Sequence, residues 1–143
     1  MKKKINLICV SKISPIFKGA QDYYINKLKY FCDISIKEVP QSNKLTEGRK
    51  ILKNLPKSSF IIVLDENGKM LSSVEFAKKL IEPYKNISFI IGGPEGLENF
   101  VKEQANFLLS LSKMTLQHDI ARIVLLEQIF RAFNILKNTP YHK

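Results

Sequence analysis

The sequence predicts an α/β protein whose mostly parallel sheet carries helices on both faces. Short runs of β-branched and aromatic residues alternate along the chain with segments of helical spacing. Most of these runs, such as Phe60–Leu64, are apolar throughout, which is typical of strands buried on both sides between two helical layers. At 143 residues the chain fits one domain, residues 1–143.

Five strands are predicted from these runs. Ser14-Pro15 closes the first, and Pro40 ends the second, which places that strand near an edge of the sheet. The turn residues Asp65-Glu66-Asn67-Gly68 are expected to stop the third strand. The predicted strands are Ile5–Val10, Ile34–Val39, Phe60–Leu64, Ser88–Ile91 and Phe107–Leu111.

Helices are predicted between and after the strands. Ser72 and Glu75 form a capping-box pattern, and Asp119 is expected to cap the last helix. Pro94 and Glu95 suit the first turn of a helix. The predicted helices are Phe17–Phe31, Leu45–Leu55, a segment from Ser72 that Pro83 ends, Glu98–Asn106, and Ile120 to about Asn138.

The last predicted helix is apolar around nearly its whole circumference. Such a helix needs partners on more than one face, so we expect a homodimer in which a second subunit covers part of it. The residues that follow, Thr139–Lys143, are expected to form an extended polar tail, for which a frayed terminus is the ordinary interpretation.

The composition is basic, with 23 lysines and arginines against 13 acidic residues and a formal net charge of +10. This excess favours a polyanionic partner or an anionic surface. The arginines, Arg49, Arg122 and Arg131, are the more informative cations, since a planar guanidinium suits phosphate better than a point charge does. Cys9 and Cys32 have neither CxxC spacing nor a neighbouring histidine cluster, so we expect no metal site and a reducing compartment.

The amino-terminal region resembles the basic start of a signal peptide only superficially. Asn6 interrupts the apolar run after Lys2-Lys3-Lys4, and Ser11-Lys12 closes it early. We therefore expect a cytoplasmic protein without a membrane segment.

A glycine-rich loop follows the fourth predicted strand at Gly92-Gly93-Pro94-Glu95-Gly96. Glycines there let a ligand approach the backbone, although a tight turn without a ligand is an equally good interpretation. The loop matches neither GxxxxGK[ST] nor GxGxxG, which disfavours nucleoside triphosphates and dinucleotides. In a parallel sheet it meets the turn after Leu64 and the loop Leu111–Leu116 at the carboxyl edge, where the three loops could form one pocket for an adenosine-containing ligand.

Several motifs follow one another in a characteristic order along the chain. They are Ile91–Leu97, Leu111-Ser112 with Met114-Thr115-Leu116, Arg122, Glu127, Arg131-Ala132 and Pro140-Tyr141-His142-Lys143. Taken together, these motifs resemble the RlmH-type methyltransferases, and the resemblance spans essentially the whole chain. These small members of the SPOUT class are knotted α/β enzymes that methylate N3 of a pseudouridine in large-subunit (23S) ribosomal RNA with S-adenosylmethionine.

The resemblance implies a C-terminal trefoil knot and a homodimer in which each tail helps to complete a site. Two residues depart from the family pattern: Gln117 stands where proline is common, and Thr139 stands where histidine is common. The implied cofactor-binding residues are Leu64, Gly92, Leu111, Ser112, Lys113, Met114, Thr115 and Leu116.

The implied chemistry is attack of the pseudouridine N3 on the cofactor's methyl group once N3 has lost its proton. His142 is the first candidate to take that proton and Tyr141 the second. The candidate RNA contacts are Arg122, Arg131, His118 and Lys143. His118 alone before a helix is more often structural, and Glu127 with Arg131 also fits an ordinary helical ion pair.

Two other function classes account for part of the sequence. A non-catalytic RNA-binding or ribosome-associated module would explain the charge but not three coordinated loops. A nucleotide-binding oxidoreductase would need the dinucleotide fingerprint that the chain lacks.

Overall fold

A computed structural model describes residues 2–143 as a five-stranded, all-parallel sheet with the strand order β2-β1-β4-β3-β5. This confirms the predicted fold class and places β2 at an edge. The strands are β1 (Lys3–Val10), β2 (Cys32–Val39), β3 (Phe60–Met70), β4 (Asn86–Ile91) and β5 (Phe107–Ser110). The helices are α1 (Pro15–Leu28), α2 (Lys44–Asn54), α3 (Ser73–Phe76), which continues into a π-helical turn at Ala77–Ile81, α4 (Asn99–Lys102) and α5 (His118–Leu136).

The sheet separates two hydrophobic clusters. Along β1, Ile5 and Leu7 belong to the cluster that packs against α1, α3 and α5, whereas Ile8 and Val10 belong to the cluster beneath α2 and α4. Because successive strand residues point to opposite faces, an apolar run such as β1 is buried from both sides. Helices thus cover both faces, as predicted.

Of two predicted helix caps, the one at Ser72 is confirmed and the one at Asp119 is wrong. Ser72 and Glu75 form the capping box, with each side chain bonded to the other residue's backbone N–H. Asp119 does not cap α5, because the Gln117 side chain accepts hydrogen bonds from the N–H groups of Asp119 and Ile120 at 2.9 and 3.1 Å. The Asp119 carboxylate is buried instead and accepts from the Ser14 N–H at 3.2 Å.

The third strand does not stop at the turn residues, and that prediction was wrong. Leu64 and Lys69 both pair with Leu109 of β5, so Asp65–Gly68 bulge out of the ladder before pairing resumes. A Cβ at Gly68 would lie 2.6 Å from the Leu108 carbonyl, so only glycine permits this approach.

Helix α5 is covered mainly within its own chain, by α1, α3 with its π-helical turn, and the sheet. Leu125, Leu126 and Ile129 are fully buried, while Ile120 is 40% exposed. Most of its apolar circumference is thus covered within the chain, and the second subunit stays a prediction. On the neighbouring α1, Ile16 is 81% and Tyr23 is 55% exposed.

Cys9 and Cys32 are free thiols buried in the core, and burial raises the pKa of each to about 12. No helix in residues 2–143 is long and apolar enough to cross a membrane. Nowhere in the same residues do three His, Cys, Asp or Glu side chains gather as metal ligands would.

Candidate functional site

A cavity of about 730 Å³ lies at the carboxyl edge of the sheet, between the segments that follow β3, β4 and β5. Its walls include Leu64, Gly92–Leu97 and the loop from Leu111 to Gln117. The three segments that the sequence predicts to meet are therefore brought together. We call this cavity the carboxyl-edge pocket.

The glycine loop owes its shape to close packing within the chain. A Cβ at Gly92 would lie 2.8 Å from the Leu97 side chain, and Gly96 has a φ of +82° in the turn that its N–H closes onto the Gly93 carbonyl at 3.0 Å. This turn occupies the position where Pro94 and Glu95 were predicted to begin a helix. That prediction was wrong, since α4 begins only at Asn99.

The loop between β5 and α5 is held by side-chain hydrogen bonds. The Ser112 hydroxyl accepts from the Met114 N–H at 2.9 Å, and the Thr115 hydroxyl donates to Glu66 Oε2 at 3.1 Å. The second bond joins this loop to the bulge of β3. Two walls of the pocket are thereby tied to each other.

Most of the predicted cofactor residues line the pocket, and Lys113 does not. The pocket is also lined by the bulge residues Asp65, Glu66 and Asn67 and by Lys102 of α4, which no sequence motif marks, although the turn after Leu64 was expected at this edge. Lys102 forms an ion pair with Asp65 at 3.4 Å. The predicted residues that line the pocket are Leu64, Gly92, Leu111, Ser112, Met114, Thr115, Leu116 and, from the RNA candidates, His118.

The charge of the pocket lining is acidic. Asp65, Glu66 and Glu95 line it together with the single cation Lys102, which Asp65 already pairs. In a protein with a net charge of +10 this is a local reversal of sign. Such a lining favours a ligand that carries positive charge and disfavours a polyphosphate.

His118 is held at the pocket by polar neighbours. Its Nε2 lies 3.3 Å from the Ser11 hydroxyl and 3.6 Å from Asp119 Oδ1, an oxygen that is buried and makes no hydrogen bond in the described chain. Ser11 has a φ of +69°, a left-handed conformation that is uncommon for a residue with a side chain. Ser11 and Asp119 thus hold the imidazole of His118 in place at the wall of the pocket.

Arg122 does not face solvent, contrary to its assignment as an RNA contact. It is 1% exposed, and its guanidinium donates to Glu38 Oε2 at 2.7 Å, to the Gln21 side chain at 2.9 Å and to the Ser11 carbonyl at 3.1 Å. Burial beside an acid explains its position on an apolar helix. Both terminal nitrogens are thus bonded to groups of the same chain, and the remaining Nε is buried without a hydrogen-bond partner in the described residues.

The tail folds back onto α5 and is not an extended segment. The Tyr141 hydroxyl donates to Glu127 Oε2 at 2.9 Å, and Arg131 donates to His142 Nδ1 at 3.1 Å. Arg131 also pairs with Glu127 at 3.0 Å, which confirms the helical ion pair, and lies 4.8 Å from the centre of the Tyr141 ring. The Tyr141 ring packs edge-on against Phe130 at 4.8 Å.

The pKa of Tyr141 is raised to about 12, mainly by desolvation and to a smaller extent by the hydrogen bond to Glu127. The phenol is therefore protonated near neutral pH and acts as a hydrogen-bond donor. None of Tyr141, His142 and Lys143 lines the carboxyl-edge pocket of the same chain. The structure thus does not bring the two halves of the predicted site together within one chain.

Comparison with known proteins identifies relatives over nearly the whole chain. Residues 3–142 match the family described as "Predicted SPOUT methyltransferase". The chain is 44% identical to a protein of Acholeplasma laidlawii (98% of this chain, 99% of that protein) and 42% identical to one of Dictyoglomus thermophilum (96% and 98%). Both are named "Ribosomal RNA large subunit methyltransferase H".

One solved structure shows the same fold. It is described as a probable methylase family protein from Haemophilus influenzae, with a TM-score of 0.59 and 18% identity. The match covers 98% of this chain and 70% of that one.

The role of Arg122 is tested by removing its acidic partner. We expect Glu38→Ala to lower the free energy of unfolding by about 2–3 kcal/mol, because an unpaired guanidinium is then left buried; the cost stays below that of a fully buried pair since Glu38 is partly exposed. The measurement is urea denaturation followed by circular dichroism.

The matched control is Asp22→Ala, which breaks the exposed Lys18–Asp22 pair and is expected to cost less than about 0.5 kcal/mol. Equal losses in the two variants would show that Arg122 does not depend on Glu38.

Proposed function

This chain belongs to the SPOUT methyltransferase family, and from that premise we propose that it methylates N3 of a pseudouridine in 23S ribosomal RNA, with S-adenosylmethionine as the methyl donor. The names of the full-length relatives support a ribosomal RNA substrate of the large subunit. Family membership also supports the trefoil knot, which stays a prediction.

The observation that carries the cofactor assignment is the acidic lining of the carboxyl-edge pocket. S-adenosylmethionine bears a positive sulfonium and a positive amino group against one carboxylate, and Asp65, Glu66 and Glu95 would favour this net positive charge. The phosphates of NAD or ATP would meet the same carboxylates unfavourably. The acidic lining thus supports S-adenosylmethionine over NAD and ATP, which the missing phosphate-binding motifs also disfavour.

The apolar residues of the pocket suit the adenosine portion of the cofactor. Leu64, Leu111 and Leu116 would contact it, and backbone groups of the loops at Gly92 and Ser112–Thr115 would bind its polar edges. Lys113 stays a weaker candidate because it lies outside the lining. When bound, the cofactor supplies an electrophilic methyl group, and the chain's own task is to position the base and remove its N3 proton.

The tail residues have separate proposed roles. Tyr141 would donate a hydrogen bond to the base through its phenol O–H, once that O–H has left Glu127. His142 would take the N3 proton, because imidazole is the side chain best suited to move protons near neutral pH. In the docked tail His142 Nδ1 accepts a hydrogen bond from Arg131, so a neutral imidazole in this position carries its proton on Nε2. The contact with Arg131 must therefore open before His142 accepts a proton.

A homodimer would supply the missing proximity between tail and pocket. The exposed apolar residues Ile16 and Tyr23 of α1 and Ile120 of α5 offer a surface for a second subunit. In such a dimer the tail of one subunit reaches the pocket of the other. The candidate RNA contacts are Arg131, His118 and Lys143. The buried Arg122 is not proposed as an RNA contact.

The alternative is a non-catalytic RNA-binding or ribosome-associated protein. It accounts for the net charge but gives no reason for an acidic pocket at the carboxyl edge. Cofactor binding discriminates between the two.

We expect the protein to bind S-adenosylmethionine or its demethylated product in isothermal titration calorimetry, and to bind neither NAD nor ATP. Gly92→Ala should weaken binding at least about tenfold, because the new Cβ displaces Leu97 and distorts the loop. Gly19→Ala is the control, since a Cβ at this site on α1 meets nothing within 4 Å. Absence of S-adenosylmethionine binding by the wild type would contradict the methyltransferase proposal.

We expect a dimer of the 16.5 kDa chain in light scattering at micromolar concentration. Ile16→Glu should dissociate it, since a carboxylate would be buried in the apolar contact. Leu45→Glu serves as the control because Leu45 is also exposed but lies on α2, across the sheet. A wild-type protein that runs as a monomer would refute the dimer.

We expect deletion of Tyr141–Lys143 to leave cofactor affinity within about twofold and to lower methyl transfer about a hundredfold or more, as loss of acid–base catalysis does. Deletion of Lys143 alone is the control and should retain most of the activity. The measurement is mass spectrometry of ribosomal RNA from cells that lack their own copy of the enzyme and express each variant. Full methylation by the three-residue deletion would exclude a role for the tail.

A further inference from the structure

A second cavity, of about 620 Å³, opens at the amino edge of the sheet, where the strands begin. The six residues of β4 separate this edge from the carboxyl-edge pocket by about 20 Å. We call its rim the amino-edge patch; the residues of the rim used below are Lys2, Lys3, Tyr30, Phe31, Phe133 and Lys137.

The lysines of the patch are held in place by neutral groups. Lys3 donates to the carbonyls of Glu82 and Tyr84 at 3.0 and 2.7 Å, and Lys2 donates to the Lys29 carbonyl at 2.8 Å. Within residues 2–143, neither these two lysines nor Lys137 forms an ion pair with a carboxylate. Their positive charge is therefore available to an external anion, with the Glu82 carboxylate as the one acid in the lining.

Tyr30 is the second element of the patch. It is 85% exposed, more than any other large apolar or aromatic side chain of the described residues. Beside it, the Phe31 ring stacks on Phe133 at 5.5 Å, and the Lys137 ammonium lies 5.7 Å from the centre of the Phe31 ring. Packing within the chain accounts for Phe31 but leaves Tyr30 free to stack on a ligand.

Further lysines extend the positive charge along this edge. Lys29, Lys57 and Lys85 lie in the segments that lead into β2, β3 and β4. The edge thus has the opposite sign to the acidic carboxyl-edge pocket. A polyanion that approaches the protein is attracted to this edge and not to the pocket lining.

We propose that the amino-edge patch is a second RNA contact, in which Tyr30 stacks on an unpaired base and Lys2, Lys3 and Lys137 bind the flanking phosphates. A bare aromatic ring among cations is the combination by which proteins hold single-stranded nucleic acid. The proposal rests on the RNA substrate proposed above. The patch sets affinity for the RNA, and methyl transfer takes place at the distant pocket.

The test measures binding of deproteinised large-subunit ribosomal RNA by filter retention at several salt concentrations. Tyr30→Ala should lower affinity about tenfold with the salt dependence unchanged, and Tyr30→Phe should restore it, because phenylalanine also stacks. The double variant Lys2→Gln, Lys137→Gln should lower affinity and reduce the slope of log K against log salt by about 1.4, the value for two phosphate contacts on a single strand.

The matched control is Lys18→Gln, Lys79→Gln, which removes the same charge from α1 and from the π-helical turn after α3. In methylation assays the patch variants should raise KM for RNA and leave kcat unchanged. Equal binding by patch and control variants would overturn the proposal. So would a loss of binding seen only with intact ribosomal subunits, which would identify a ribosomal protein as the partner.

Calorimetry with S-adenosylmethionine on the same variants separates this inference from the proposed function. Cofactor binding like that of the wild type shows that the variants are folded. Failure of the wild type to bind the cofactor would contradict the proposed function, whereas a patch without effect on a functional enzyme would contradict only the second contact.

Discussion

A buried guanidinium joins the parts of the chain on which the candidate site depends. Arg122 of α5 contacts Glu38 at the end of β2, Gln21 of α1 and the carbonyl of Ser11 just beyond β1. A charge that is 1% exposed is tolerated only with such partners, so the helix cannot shift without leaving the guanidinium unpaired. The position of α5 relative to the carboxyl edge is therefore fixed by a polar contact as well as by its apolar face.

Each end of α5 holds one part of the candidate site in place. At its amino end, Gln117 and His118 line the pocket, and the loop before them is tied to the β3 bulge through Thr115 and Glu66. Towards its carboxyl end, Glu127 and Arg131 hold the tail. One element thus organises both groups of residues that the proposed reaction uses.

The sequence was sufficient for the sheet and for the meeting of three loops, because apolar runs identify buried parallel strands and parallel strands end at a common edge. It was insufficient where contacts outside the local sequence pattern decide the course of the backbone. The bulge at Asp65–Gly68 depends on pairing with β5, and the turn at Gly96 replaces a helix for which Pro94 and Glu95 were suitable.

Arg122 shows the same limit at the site. Its acidic partner Glu38 is 84 residues away in sequence, so no local pattern could distinguish a buried structural arginine from an exposed phosphate ligand. The acidity of the pocket was likewise hidden, since it arises when carboxylates from the β3 bulge and the glycine loop meet.

The geometry of α5 also limits how one chain could act alone. His118 at the pocket and Arg131 at the docked tail are thirteen positions apart, which corresponds to about 20 Å along a helix. His142 remains bonded to Arg131, so within one chain it is held roughly that far from the pocket. To act on an RNA base at the pocket, the tail must therefore either be released from Arg131 or come from a second subunit. Ile16 is exposed in the first turn of α1, at the pocket edge of the sheet, so a second subunit that covered it would lie close to the pocket.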